Sequence, residues 1–255
     1  MEEFSIFNSQ FSILLAVFFI IALIYSSVGF GGGSSYLAIL ALMAINFYMI
    51  RSTALLCNIV VVSVGTFIFY KEGKLNFKKS WPLVISSVPL AYLGGLWPIR
   101  QEVFFILLGS TLVTVAVLLW LQPEKSSSLS NSKYNTISFK IFTGGALGLL
   151  SGLVGIGGGI FLSPILHFIR WGDAKNISAI ASFFILVNSI SGLAGQLQQR
   201  ASVDWRFVLP LLLSVFIGGQ VGSRLGAKKF NPVYVKRITA LLILVAGSKI
   251  LVDNL

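Results

Sequence analysis

Ten apolar runs, separated by charged residues or by clusters of Gly and Pro, follow one another along the chain. Most have the roughly 17 to 25 residues that a helix needs to cross a bilayer, but the second and the seventh are short. The pattern predicts an all-α polytopic membrane protein with about five apolar segments in each half. The runs are 10–28, 34–48, 52–70, 81–97, 103–121, 139–154, 160–169, 177–197, 206–224 and 234–252.

A polar stretch divides the chain into two halves. Residues 122–138 contain Pro123, three consecutive serines and several Asn, Lys and Ser residues, and they form the only long polar connection. This composition is typical of a linker. We therefore predict an N-terminal membrane repeat over 1–121, a cytoplasmic linker over 122–138 and a C-terminal membrane repeat over 139–255.

A glycine cluster precedes each of the short runs. Residues 29–33 read GFGGG, and the pattern recurs half a chain later as GIGGG over residues 155–159. Glycine is the weakest interior helix former apart from proline, and lipid cannot satisfy the backbone groups that it exposes. The repeat therefore predicts two matched backbone breaks, as broken or re-entrant helices, where the chain contacts a ligand. The alternative is that the glycines only let helices cross closely.

Composition defines the class of protein. Of 255 residues, 56% are hydrophobic and 11% are charged, and the mean hydropathy is +0.89, so the chain is expected to be an integral membrane protein. The net charge of +11 would indicate nucleic acid in a soluble protein, but here Lys and Arg mark cytoplasmic loops and no nucleic-acid partner is expected. Cys57, the single cysteine, excludes an internal disulfide and a multi-cysteine metal site. No cofactor is predicted.

The basic residues indicate how the chain is oriented. If the chain reverses at each glycine motif, 14 of the 19 Lys and Arg residues fall on one side of the membrane; if each motif only kinks a helix, they divide about evenly. Cytoplasmic loops are enriched in Lys and Arg, so reversal is favoured. Reversal predicts both termini outside the cytoplasm and two inverted repeats related by a twofold axis in the membrane plane.

The tracts around the two motifs resemble a known family. Residues 25–35, YSSVGFGGGSS, and residues 151–164, SGLVGIGGGIFLSP, are similar to the paired signature of the sulfite exporter TauE/SafE family, the 4-toluene sulfonate uptake permease family. The similarity extends over essentially the whole chain. The resemblance implies a carrier in the cytoplasmic membrane for sulfur-containing or organic anions such as sulfite, sulfoacetate or sulfonates.

We predict the substrate site at the two motifs. A helix that begins after a glycine run presents free backbone N–H groups and a partial positive charge, both of which suit an anion. The serines near each tip would add hydroxyl donors. The motif candidates are Gly29, Gly31, Gly32, Gly33, Ser34, Ser35, Gly155, Gly157, Gly158, Gly159, Ser163 and Pro164.

Polar residues within the spanning segments are further candidates. Such residues usually face the bundle interior, where they either line a substrate pathway or bind neighbouring helices together. These candidates are Asn58 and Ser63 in the third segment and Ser182, Asn188 and Ser191 in the eighth.

Charged residues at segment ends have two interpretations. Arginines there are typical interface anchors that extend to lipid headgroups. Arg51 and Arg170, which follow the elements with the glycine motifs, are also placed to attract anions toward an entrance. The arginines are Arg51, Arg100, Arg170, Arg200 and Arg224.

The titratable residues limit which ions could be coupled to transport. All acidic residues fall in termini or loops, which disfavours a proton relay through a buried carboxylate. A lone His167 near a segment end is more often structural than proton-handling. Coupling to a proton or to sodium and assembly into a homodimer are left open.

Three function classes fit the chain to different degrees. A secondary carrier that moves a small anion by alternating access is favoured by the duplication and the paired breaks. An anion channel would share these features. An intramembrane enzyme ranks third, because one Cys, one His and loop-bound carboxylates provide no convincing catalytic group in the bilayer.

Overall fold

The structure, a computed structural model, describes residues 9–43, 45–122, 136–199, 203–226 and 232–254. Within these residues it contains ten α-helices and no strand, so the all-α prediction is confirmed. Most of the predicted linker lies outside the described residues. The helices are α1 (Ser9–Ser26), α2 (Gly33–Leu42), α3 (Phe47–Lys71), α4 (Phe77–Leu96), α5 (Gln101–Leu121), α6 (Ile137–Val154), α7 (Gly159–Phe168), α8 (Ala174–Leu197), α9 (Trp205–Gly226) and α10 (Pro232–Asn254).

Helix length follows the predicted runs. Six helices, α1, α3, α5, α6, α8 and α9, are long and apolar enough to cross a membrane. Helices α4 and α10 have 20 and 23 residues. The two helices that follow the glycine motifs, α2 and α7, have only 10 residues each, or about 15 Å, which is half the thickness of the hydrocarbon core.

The apolar run over 34–48 contains parts of two helices rather than one segment. Helix α2 ends at Leu42 and α3 begins at Phe47. The Asn46 side chain lies before α3 and accepts a hydrogen bond from the Tyr48 N–H at 3.0 Å. This N-cap satisfies a free donor of the new helix, and a hydropathy pattern does not reveal it.

The chain folds back on itself at the first glycine motif. Phe18 in α1 stacks on Tyr36 in α2, with ring centroids 4.6 Å apart. A straight continuation would separate these residues by more than 20 Å, because Phe18 precedes the end of α1 by two turns. A Cβ atom on Gly32 would likewise lie 3.0 Å from Ile21 Cγ2. Helix α2 therefore runs back beside α1.

The chain also folds back on itself at the second glycine motif. A Cβ atom on Gly158 would lie 3.1 Å from the Leu147 carbonyl oxygen and 3.3 Å from Ser151 Cβ. Both residues belong to α6, which ends at Val154. Helix α7 therefore begins beside the preceding helix and does not extend it.

The helices of the two halves pack across each other in matched pairs. Helix α4 packs on α6 and α8, and α9 packs on α1 and α3; α3 packs on α8, and α5 on α10. If each helix of the first half is exchanged for the helix five places later, and the reverse, the same set of packed pairs results. Glycines allow α4 to approach α6 closely, and α9 to approach α1 in the same way. A Cβ on Gly94 would collide with the Leu149 carbonyl of α6, and one on Gly218 with the Phe19 carbonyl of α1.

One apolar core holds the bundle together. Its buried side chains come from both halves, from Phe11 in α1 to Ile250 in α10. A hydrogen bond of 2.6 Å joins the Ser214 hydroxyl of α9 to the Leu15 carbonyl of α1, across 199 positions of sequence. The halves are therefore interleaved within one core.

Candidate functional site

Asn58 of α3 is the place where the two glycine motifs meet. Its side chain is fully buried and lies directly against Gly31 and Gly33 of the first motif, where an added Cβ would collide with its amide. Asn58 Nδ2 donates to the Ile156 carbonyl of the second motif at 3.0 Å. The same Nδ2 lies 3.0 Å from where Gly157 would carry a Cβ. One side chain therefore contacts both broken segments.

The meeting point lies deep in the bundle. Helix α3 has 25 residues, and Asn58 is its twelfth. It is thus close to the middle of a helix about 37 Å long. A polar group at this depth, without water, needs a hydrogen-bond partner, and the Ile156 carbonyl provides one.

The second half has an apolar residue in the equivalent place. Ile185 of α8 lies against Gly157 and Gly159 as Asn58 lies against Gly31 and Gly33. The Asn58 Oδ1 atom is buried and has no hydrogen-bond partner among the described residues. Helix α3 therefore contributes an amide at this meeting point, and α8 contributes the buried Ser189 hydroxyl, which lies 2.9 Å from where Gly157 would carry a Cβ and has no hydrogen-bond partner among the described residues.

Glycine is required by the backbone of both motifs. Five of their residues have left-handed φ angles, which side chains other than glycine adopt only under strain. These angles are +83° at Gly29, +85° at Gly32, +88° at Gly155, +84° at Gly157 and +75° at Gly158.

The short helices begin immediately after these turns. In α2 the N–H groups of Ser35 and Tyr36 both donate to the Gly32 carbonyl, at 3.0 Å each. The N–H groups of Gly33 and Ser34 precede this first bonded turn and have no acceptor within the helix. In α7 the Gly158 carbonyl has the same role. Each motif therefore directs a helix N-terminus, with its partial positive charge, into the bundle.

Hydroxyl groups cluster at the first tip. Ser34 and Ser35, both predicted candidates, are buried there. The Tyr25 hydroxyl forms hydrogen bonds with Ser35 Oγ at 2.6 Å and with Ser34 Oγ at 3.4 Å. Tyr36 adds a buried hydroxyl that has no partner within the described chain. The tyrosines were absent from the predicted site, although Tyr25 begins the tract that contains the first motif.

Comparison with known proteins identifies the family. The model of the family described as "Sulfite exporter TauE/SafE" matches residues 14–250. The chain belongs to this family. It is therefore a multi-pass membrane transporter of a small molecule, and the predicted family resemblance is confirmed.

The relatives of this TauE/SafE protein match over nearly their whole length. "Probable membrane transporter protein y4hK" of Sinorhizobium fredii is 32% identical, over 93% of this chain and 97% of the relative. "Probable membrane transporter protein YjnA" of Bacillus subtilis is 27% identical, over 94% and 99%. "Probable membrane transporter protein MJ0441" of Methanocaldococcus jannaschii is 26% identical, over 92% of each chain. No solved structure matches the chain.

The polar candidates of α8 in this TauE/SafE protein form hydrogen bonds with neighbouring helices or with the backbone of α8 itself. Ser182 Oγ lies 3.1 Å from Thr66 Oγ1, so this pair joins α8 to α3. Ser191 Oγ donates to the Val88 carbonyl of α4 at 2.6 Å. Asn188 Nδ2 donates to the Phe184 carbonyl of its own helix at 2.8 Å. None of these three side chains is among the nearest neighbours of the motif glycines.

The remaining candidates differ in their surroundings. Ser63 is exposed, and its hydroxyl donates to the Ile59 carbonyl at 2.5 Å, so it lies apart from the motifs. Ser163 and Pro164 are buried in α7, in the second turn after the glycines.

Arg51 is buried, so the first of its two interpretations, an exposed interface anchor, does not apply to it. Its side chain is 6% exposed, and its Nη2 donates to the Gly152 carbonyl, at the end of α6, at 3.0 Å. Gln196 Nε2 donates to the same carbonyl at 3.3 Å. The guanidinium carbon lies 5.8 Å from the ring centroid of Phe47 and 5.9 Å from that of Phe104. Burial between two aromatic rings and a helix end explains why Arg51 does not reach the lipid surface.

A cavity of about 390 Å³ opens beside Arg51. It is formed where the start of α3 faces the ends of α4 and α8. Gln196 was not predictable as a functional residue, because a glutamine near a segment end usually belongs to a solvated turn. The residues that line the cavity include Tyr48, Arg51, Pro98, Ile99, Gln196 and Gln199.

Proposed function

We propose that this protein is a secondary transporter that moves a small anion across the cytoplasmic membrane by alternating access. The anion is sulfur-containing or organic, of the sulfite, sulfoacetate or sulfonate class. The observation that carries the proposal is the contact of Asn58 with both glycine motifs, because it joins two helix N-termini near the middle of the bundle.

The chemistry around the motifs suits a negatively charged solute. Two helix N-termini and the hydroxyls of Ser34 and Ser35 offer hydrogen-bond donors. Every described Asp and Glu is exposed, so no described carboxylate repels an anion in the interior. Those residues are Glu72, Glu102, Asp173, Asp204 and Asp253.

Inverted repeats provide the mechanical basis of the proposal. Gly29 of the first motif packs against Ser178 of α8, and Gly155 of the second packs against Arg51 of α3. Each motif therefore touches the other half in an equivalent way. With the basic loops on the cytoplasmic side, both termini are outside and the linker is inside. Rocking of one repeat against the other would then expose the Asn58 region to each side in turn.

Counterflow in reconstituted vesicles tests this function. Vesicles loaded with unlabelled sulfite, methanesulfonate or acetate are diluted into the labelled compound. A carrier accelerates labelled uptake when unlabelled solute is trapped inside, whereas a channel only dissipates the gradient. We expect acceleration with at least one sulfur oxyanion. Uptake that never responds to trapped solute would identify a channel instead.

Melting temperatures measured with a series of anions test binding separately from transport. A ligand that prefers the folded state raises the apparent melting temperature. Purified protein is heated with sulfite, thiosulfate, methanesulfonate, sulfoacetate and acetate, and chloride at equal ionic strength is the control. Stabilisation by sulfur oxyanions above chloride supports the proposed substrate class, and stabilisation by none of them contradicts it.

A further inference from the structure

We propose that the cavity beside Arg51 is an oxyanion-binding site through which the solute reaches the glycine motifs, with the Arg51 guanidinium as its charged group. This inference rests on the proposed anion transport and extends it to a second site. The class of ligand is a carboxylate, sulfonate or sulfite, in which two oxygens on one atom face the guanidinium.

Arg51 is a buried charge without an acidic partner among the residues that the structure describes. The described carboxylates are all exposed, and the salt bridge recorded among the described residues joins Arg100 to Glu102 at 2.8 Å. Arginine has five N–H donors, and the Gly152 carbonyl accepts from one of its terminal nitrogens. The Nε–H is buried and has no acceptor in the described part of the chain.

Such an arrangement is costly unless a ligand completes it. A buried cation needs a counter-charge or several hydrogen bonds. The Phe47 and Phe104 rings, each within 6 Å, compensate only partly, since a cation–π contact is weaker than a counter-charge. The planar guanidinium matches two oxygens of a carboxylate or sulfonate, and such paired, charge-assisted bonds are strong.

The cavity has the size and polarity for this ligand. Its volume of about 390 Å³ is within the range of small-molecule sites. Gln199 adds an amide that can donate to an anion, and Gln196 Nε2 donates to the Gly152 carbonyl that Arg51 also binds. No Asp or Glu is among the lining residues.

The cavity adjoins the second glycine motif. A Cβ atom on Gly155 would lie 3.5 Å from Arg51 Cα, so the first glycine of the motif packs on the backbone of the arginine. The Gly152 carbonyl that Arg51 holds precedes that glycine by one helical turn. In the other half, Ser178 occupies the position that Arg51 has here. The charged site therefore belongs to one side of the bundle, the side proposed to face outward.

Adding a charge beside the cavity tests the site without disturbing the hydrogen bond from Arg51 to the Gly152 carbonyl. Gln199 lines the cavity and is half-buried, whereas Gln198 beside it is exposed and is not among the lining residues. We expect Gln199→Glu to raise the concentration of sulfite or methanesulfonate that gives half-maximal thermal stabilisation by about fivefold to tenfold. Gln199→Lys should lower it. The matched control, Gln198→Glu, adds the same charge and should change it less than twofold.

Arg51→Gln is the second variant, with Arg100→Gln as its control. We expect Arg51→Gln to weaken stabilisation about tenfold or more and Arg100→Gln to leave it unchanged, because Arg100 is exposed and paired with Glu102. If wild-type protein binds and transports the anions but the Gln199 and Arg51 variants match their controls, the cavity site is rejected and the transport proposal stands. If no anion affects wild-type protein, both fail.

Discussion

Asn58 joins the two broken segments through one amide group. The carbonyl that it binds, at Ile156, lies in a non-helical stretch and so has no helical N–H to accept from. The equivalent residue in the other half, Ile185, makes only apolar contacts with its motif. This hydrogen bond at the meeting point of the two motifs therefore depends on the Asn58 side chain, and a conformational change that separates Asn58 from the second motif must break it.

Replacing Asn58 tests this role. Asn58→Leu removes the donor and leaves the Ile156 carbonyl unsatisfied, so we expect a loss of about 1–3 kcal/mol of stability and slower transport. Asn188→Leu is the matched control: Asn188 is equally buried but donates to a carbonyl of its own helix. Its loss should be well under 1 kcal/mol. Equal shifts in melting temperature for the two variants would show that the contact between motifs has no special role.

The glycines are the second target. In Gly32→Val the new side chain meets Tyr36 and Ile21 at 2.9–3.0 Å in a left-handed conformation, and in Gly158→Val it meets the Leu147 carbonyl. We expect both variants to insert into the membrane but to lose transport. Gly73→Val is the control, because Gly73 has φ +66° but no atom within 4 Å. Normal uptake by both motif variants would refute the site assignment.

The sequence predicted the glycines better than it predicted the side chains around them. A triplet of glycines in an apolar run has few explanations, so the breaks were evident. Ser63 and Asn58 are both polar residues of one helix, and only packing reveals that the first is exposed and the second is enclosed. Arg51 shows the same limit, since its position at a segment end does not indicate which way it points.

Helices α4 and α6 illustrate how closely the elements approach. A Cβ on Gly148 of α6 would collide with the backbone of Ser87 in α4, and one on Gly144 with that of Leu83. Successive small residues, four positions apart, thus form a flat stripe along α6. Backbone atoms cannot move aside as a flexible side chain can, so this contact tolerates no added volume.

Gly148→Val should separate the two helices. We expect a loss of about 1–3 kcal/mol or more, seen as a lower melting temperature and reduced yield of purified protein. Gly172→Val is the control, because the nearest atom to its added Cβ is 3.8 Å away.

The elements were predictable to the extent that hydropathy marks them. Ten runs predicted ten helices, and nearly all the bounds agree within a few residues. The exception is the end of α2 at Leu42, because the apolar residues continue into α3 and only the Asn46 cap separates the helices. Which helices pack together was not predictable, because glycine spacing shows a close contact but not its partner.

The matched contacts of the two halves lead to a prediction about sidedness. The α3–α4 and α8–α9 connections occupy equivalent places in the halves, so inverted repeats put them on opposite sides of the membrane. Glu72 and Gln198 are exposed residues of these connections. We expect an impermeant maleimide to label Gln198→Cys in intact cells and Glu72→Cys only after permeabilisation. Native protein is the control, because its Cys57 is fully buried.

Labelling of both positions from the same side would contradict the inverted arrangement. The matched order of the motifs in the two halves is evident in the sequence, and the inverted duplication stays a prediction. The interleaved packing of the halves was not predictable, because two repeats can equally well form separate bundles.

Interleaving also has a consequence during synthesis. Leu15 in α1 emerges from the ribosome 199 residues before Ser214, its partner in α9. At a translation rate of about 5–20 residues per second, α1 waits roughly 10 to 40 seconds in the membrane before that partner exists. The nascent first half must therefore be shielded by lipid or by the insertion machinery, and a ribosome pause before α9 would prolong its exposure to quality-control proteases.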